Sequence, residues 1–148
     1  MRSNFSLCLK TFSFCRFLIE GIRNFFTLFL SFEVSKAMQE VTDAIEAGDV
    51  KQQEYAQEMV DCFTLQLNES NPILTFIADA MTDEGKYKEL MAKSHEERDL
   101  KKSSMWESKM IEASLRKKEG NLNLMTCSTK YKDKMKSIRE ERQKALMI

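Results

Sequence analysis

The sequence predicts an all-α protein, and three observations carry that prediction. Four glycines and one proline in 148 residues are too few for the tight turns of a β domain. Ten methionines, with abundant Leu, Ala, Glu, Lys and Gln, favour helix. Apolar residues recur at spacings of three and four. The expected architecture is about five or six helices, with a helical-bundle-like core and longer, more polar C-terminal helices. At 31% charged and 43% hydrophobic residues the composition is globular, and the length fits one domain or a smaller domain with an appendage.

The first segment, residues 1–33, is aromatic. Eight of the ten phenylalanines lie within the first 32 residues. Wound at helical pitch, Ser13, Arg16, Glu20, Arg23, Asn24, Thr27 and Ser31 form one polar line, with apolar residues opposite. The three charges among them sit at i,i+3 and i,i+4 spacing and can neutralise one another. From Phe12 to Phe32 the helix is about 31 Å long, close to the ~30 Å of a bilayer's hydrocarbon. Each central charge costs ~2.5–3.5 kcal/mol on insertion, which disfavours a lone span. The expected apolar face for a membrane or an interface is Phe17, Ile22, Phe25, Phe26, Phe29 and Phe32. Core packing, membrane association and a cleaved organellar address are the readings open to this segment.

The second segment, 34–81, reads as a helical hairpin plus a buried helix. Val34, Ala37, Met38, Val41, Ala44 and Ile45 form one stripe. Gly48 is its expected stop, and Asp49 caps the next helix with Gln52 three residues on. Tyr55, Ala56, Met59, Val60, Phe63 and Leu67 form the second stripe. "NESNP" (68–72) is expected to be a loop, with Asn71 capping and Pro72 opening a third helix over roughly 72–81.

The third segment, 82–148, is rich in Lys and Glu. Thr82 and Asp83 punctuate, and a polar helix is expected from about Lys86 to Lys118, with a break near Ser103–Ser104 and an end at Gly120. Residues 121–128 read as a connector, and a last, coiled-coil-like helix begins near Ser128. Residues 81–98 and 125–142 match at nine of eighteen positions, 44 residues apart. That is a candidate internal repeat presenting Tyr87 and Tyr131 in equivalent K-Y-K settings.

The chain carries 23 basic and 23 acidic side chains, distributed unevenly. Residues 33–85 hold two basic and twelve acidic groups, whereas residues 120–148 hold seven basic and three acidic. Such segments either face each other within a fold or meet an external partner. Lys130, Lys132, Lys134, Lys136 and Arg139 are the candidate anion contacts. Interleaved acids and the absence of a helix-turn-helix pattern make nucleic acid the weaker use of them.

Chemistry is not evident. Cys8, Cys15, Cys62 and Cys127 show no paired spacing and His95 is the sole histidine, so no metal site is expected. "HEER" (95–98) lacks the second histidine of a zinc-protease helix, and no phosphate loop or nucleophile elbow occurs. No cofactor and no small-molecule substrate is expected. Scattered cysteines suit an intracellular, reducing compartment, with membrane association left open. The functional expectation is a non-enzymatic interaction or regulatory protein that docks amphipathic helices on a protein partner or on itself. Its partner-binding residues are expected to be Tyr87, Met91, Tyr131, Met135 and Ile138, with Tyr131→Ala weakening capture in a folded chain. The alternatives are a membrane-associated protein anchored by residues 12–32 and a small nucleic-acid-binding factor using the basic helices.

Overall fold

Two sharp corners divide the chain into three long helices: α1 (Arg2–Ala47), α2 (Val50–Glu96) and α3 (Leu100–Leu146). This computed structural model describes the backbone of residues 2–148, the exposure of Gly21 and the side chains of residues 23–148. The all-α class is as expected, and no strand occurs among the described residues. The expected count of five or six helices is corrected to three.

Both corners use one design. At the first, Gly48 adopts φ 68°, its N–H donates to Ile45 O, and the Asp49 N–H donates to Ala44 O at 3.0 Å. These two bonds satisfy carbonyls that a helix end otherwise leaves open. The Asp49 carboxylate then accepts from the Gln52 N–H at 3.0 Å, which caps α2 as expected. At the second corner Arg98 takes φ 54°, its N–H donates to His95 O, and the Asp99 N–H donates to Ser94 O at 2.9 Å. Asp99 accepts from the Lys102 N–H at 3.1 Å. The left-handed backbone costs an L-residue roughly 1–2 kcal/mol and glycine almost nothing. Arg98→Gly is therefore expected to stabilise the full chain by about 0.5–1 kcal/mol, and Gly48→Ala to destabilise it by about 1 kcal/mol. Urea unfolding midpoints at constant slope test both.

Four expected breaks are absent. α2 runs through "NESNP" with Pro72 inside it. An interior proline loses a hydrogen bond and crowds the carbonyl four residues back, at roughly 3 kcal/mol. Tertiary packing overrides that cost: Ser70 and Leu74 are buried on either side, and the Thr27 hydroxyl donates to Asn71 Oδ1 at 3.3 Å. Thr82 does not end a helix; its hydroxyl donates back to Ala78 O at 2.9 Å. The break expected near Ser103–Ser104 lies instead at residues 97–99. Gly120 and the supposed connector 121–128 are interior to α3, because Ala113, Gly120, Cys127 and Tyr131 are all buried and continue one seam, which the half-buried Lys117 and Leu124 fill at spacings of three and four.

The chain divides into two compact units. One comprises residues 25–72 and 124–148, three helical segments around a shared core. Leu30, Ala37 and Ala44 of α1, Ala56, Met59, Cys62, Phe63 and Ser70 of α2, and Cys127, Tyr131 and Met135 of α3 are buried there. α1 and α2 run antiparallel, as the two-residue corner requires. α2 and α3 also run antiparallel, since residue 55 of α2 meets 142 of α3 and residue 69 meets 130. Nine of the twelve acidic groups of residues 33–85 and all seven basic groups of residues 120–148 thus share one unit.

The other unit comprises residues 73–123 with the part of α1 before Phe25. Its α2 and α3 segments form an antiparallel pair. Asp83–Arg116 (3.0 Å) and Glu84–Lys117 (2.7 Å) are successive ion pairs. Tyr87 stacks on Trp106 with ring centroids 5.8 Å apart and planes 17° from parallel. Among the described residues, Leu74, Ile77, Ala80 and Ala113 are its buried apolar side chains.

Candidate interaction surface

The seam of α2 and α3 in the 25–72/124–148 unit contains a polar cluster. Lys130 Nζ donates to both oxygens of Glu69 at 2.9 and 3.2 Å and lies 5.0 Å from the Tyr131 ring centroid. The Cys127 thiol donates to Glu69 Oε2 at 3.8 Å and lies 3.6 Å from Ser70 Oγ. Tyr131 is 2% exposed. Hydrogen bonds from Tyr131 and Lys130 hold the Glu69 carboxyl below its ordinary value. Burial, then Glu69, pushes the Tyr131 hydroxyl up, and the bond to Glu69 raises Lys130. Glu69 thus favours the neutral Tyr131 hydroxyl and the charged Lys130, and both in turn favour its carboxylate.

The signs give a pH dependence. The Glu69 contribution is present above the ordinary carboxylate range and is lost as pH falls through its lowered folded value. The Tyr131 and Lys130 contributions are present below their ordinary values and are lost as pH rises through their raised folded values. Glu69→Gln is expected to flatten the acid limb of the stability–pH curve, measured as denaturant midpoints from neutral to acid pH. An unchanged acid limb would contradict the cluster.

Of the expected partner-binding residues, Tyr131 and Met135 are buried in the core, on the stripe of α3 that faces α2. Ile138 is half-buried and lines an open cleft of about 390 Å³ with Tyr55 and Arg142, whose guanidinium sits 4.2 Å from the Tyr55 ring centroid. Met91 and Tyr87 are half-buried in the other unit, where Lys109 Nζ covers Tyr87 and Trp106 at 5.8 and 5.3 Å. The two K-Y-K sites therefore have different surroundings, and neither begins a helix.

The candidate anion contacts Lys132, Lys134, Lys136 and Arg139 are exposed. Lys130 is committed to Glu69, Lys136 lies 3.9 Å from Glu140, and Arg139 shares a small cleft with Glu33 and Glu40. Carboxylates thus stand beside three of the five. Cys62 is buried, and burial pushes its thiol up, which disfavours the thiolate that nucleophilic chemistry needs. His95 Nε2 lies 3.0 Å from the buried Ser103 hydroxyl and braces the second corner. No cluster of metal-ligating side chains occurs among the described residues.

In the described part of the polar line of α1, Arg23, Thr27 and Ser31 are half-buried and Asn24 is exposed. The seam that continues backward from Ala44, Ala37 and Leu30 carries this line inward. The apolar side therefore faces out: Phe25 is 72%, Leu28 68%, Phe29 52% and Phe32 65% exposed. Phe26 is half-buried. Phe17 and Ile22, the other two residues of the expected face, lie outside the described side chains. Leu28 stands outside the six residues expected on this face; its position one turn from both Phe25 and Phe32 is the sequence signal that places it there. No helix among the described residues is long and apolar enough to cross a membrane. No protein family, curated protein or solved structure matches this chain.

Proposed function

We propose that this chain is a non-enzymatic helical interaction protein that docks through the outward face of α1. The observation that carries this reading is the contiguous exposure of Phe25, Leu28, Phe29 and Phe32. Four large apolar side chains over two helical turns are more than a monomer's scattered surface hydrophobes. The largest apolar patch on a monomer's surface, about 300–600 Å², is often a functional one. The rest of the unit supplies a rigid backing: small buried alanines on α1 let α2 and α3 approach, and the Glu69 cluster fixes their register. Tyr131 and Met135 serve this scaffold rather than the contact.

The test is the full chain carrying Phe25→Ser, Phe29→Ser and Phe32→Ser together. These side chains leave the core untouched, so helical content and unfolding midpoint stay near wild type, while association is lost. Three readouts cover the partner classes: self-association, capture of a protein partner, and flotation with vesicles. A folded triple variant that matches wild type in all three sinks the docking reading.

A further inference from the structure

We infer that the partner of the outward α1 face is the same face of a second copy of this chain, paired antiparallel about a two-fold axis. This rests on the docking reading above and names its occupant. Within residues 25–32 the exposed set is symmetric under reversal. In Phe25-x-x-Leu28-Phe29-x-x-Phe32, an axis between residues 28 and 29 exchanges Phe25 with Phe32 and Leu28 with Phe29. A two-fold interface needs a self-complementary patch, in which residue i of one copy meets residue j of the other and j meets i, and this spacing provides one. An aromatic at each end and a Leu–Phe pair in the middle give every large side chain an apolar counterpart.

Charge points the same way. Residues 25–32 contain no charged side chain, so the face offers neither a salt-bridge partner nor a basic anchor for anionic lipid headgroups. The unit that carries it holds nine acidic against two basic groups in 25–72, and seven basic against three acidic in 124–148. It is net negative, which opposes an anionic membrane. An uncharged apolar face finds its complement in another such face.

Area sets the strength. At 150–250 Å² per large side chain, two-thirds exposed, the four residues present about 500 Å², or about 1,000 Å² for the pair. That is the lower edge of a specific interface, so the dimer forms reversibly, with dissociation on the order of micromolar.

Sedimentation equilibrium of the full chain, over about two decades around micromolar, is expected to show a monomer–dimer equilibrium. Phe29→Ser weakens it roughly tenfold or more, as loss of a central aromatic anchor does. Orientation is read by cross-linking in a Cys8→Ser, Cys15→Ser background. Leu28→Cys, beside the axis, forms a disulfide with itself. Phe25→Cys does not, because its two copies stand about 10 Å apart along the helix, beyond the ~7 Å reach of a disulfide; it links only to Phe32→Cys when the two variants are mixed. Self-linking of Phe25→Cys overturns the antiparallel pair. A wild-type monomer across the range overturns the inference, and if that monomer floats with vesicles or captures another protein through Phe29, the docking reading survives without it. A monomer that does neither overturns both.

Discussion

Tyr131→Ala is expected to cost about 3–5 kcal/mol of stability, the range for deleting a buried aromatic ring. Tyr131 is the largest side chain in the fully buried set, on the α3 seam between Cys127 and Met135. Its removal opens a cavity and takes a hydrogen-bond donor from Glu69. At this chain length each kcal/mol moves the melting temperature by roughly 2–4 °C, so a loss on the order of 10 °C is the expected reading. Tyr131→Phe separates the two contributions: it keeps the ring, loses the hydroxyl, and is expected to cost about 1 kcal/mol. If Tyr131→Ala unfolds within about 1 kcal/mol of wild type, its placement in the core is wrong. The sequence expectation that this substitution would weaken capture in an otherwise intact chain gives way to a structural effect.

The second large effect lies at Gly120. A Cβ there would sit 2.6 Å from Ile77 Cγ1 and 3.0 Å from Phe76 Cδ1. Two effects oppose each other in Gly120→Ala. Helix propensity gains about 1 kcal/mol. Overpacking costs about 1–3 kcal/mol, because Ile77 is buried and its β-branched side chain is stiff at χ1. The Phe76 ring is partly exposed and can swing aside, so Ile77 decides the sign. The net expectation is a loss of about 1 kcal/mol for alanine and several for Gly120→Leu. Gly21 is the control: nothing lies within 4 Å of its would-be Cβ, so Gly21→Ala should gain up to about 1 kcal/mol. A double-mutant cycle with Ile77→Ala should show favourable coupling, since the smaller residue removes the clashing atom. Gly120→Ala that stabilises as much as Gly21→Ala would show that the two helices do not approach this closely.

The fold class was legible because composition and periodicity agreed. The first corner was legible because Gly48, Asp49 and Gln52 each have a fixed place in a C-cap followed by an N-cap. The second corner was hidden by Arg98, which occupies a left-handed position that glycine usually marks. The readable sign was Asp99-Leu100-Lys101, which repeats Asp49-Val50-Lys51 fifty residues on. Pro72, Gly120 and the asparagines of 121–123 look like breaks for one reason. Their local preferences, of about one to three kcal/mol, are outvoted by long seams that run through them. Extending each stripe past its supposed end would have found those seams. From Tyr131 the seam runs back through Cys127, Leu124, Gly120, Lys117 and Ala113 without a break. The same extension from Val34 through Leu30 and Thr27 would have turned the polar side of α1 inward and its phenylalanines outward. Glu69 was not legible at all, since its role depends on which residues of α3 lie opposite it.

The equal lengths of α2 and α3, 47 residues each, bear on how such a chain can change size. A single residue inserted inside either helix rotates everything beyond it by about 100° and carries the following seam off the core. Two corner residues, Gly48 and Arg98, lie outside the helices and are free of that constraint. Length variants of this chain should therefore arise by whole heptads in matched places or by additions at the corners. A stray deletion within a helix should behave as a loss of the fold, whatever the identity of the residue removed.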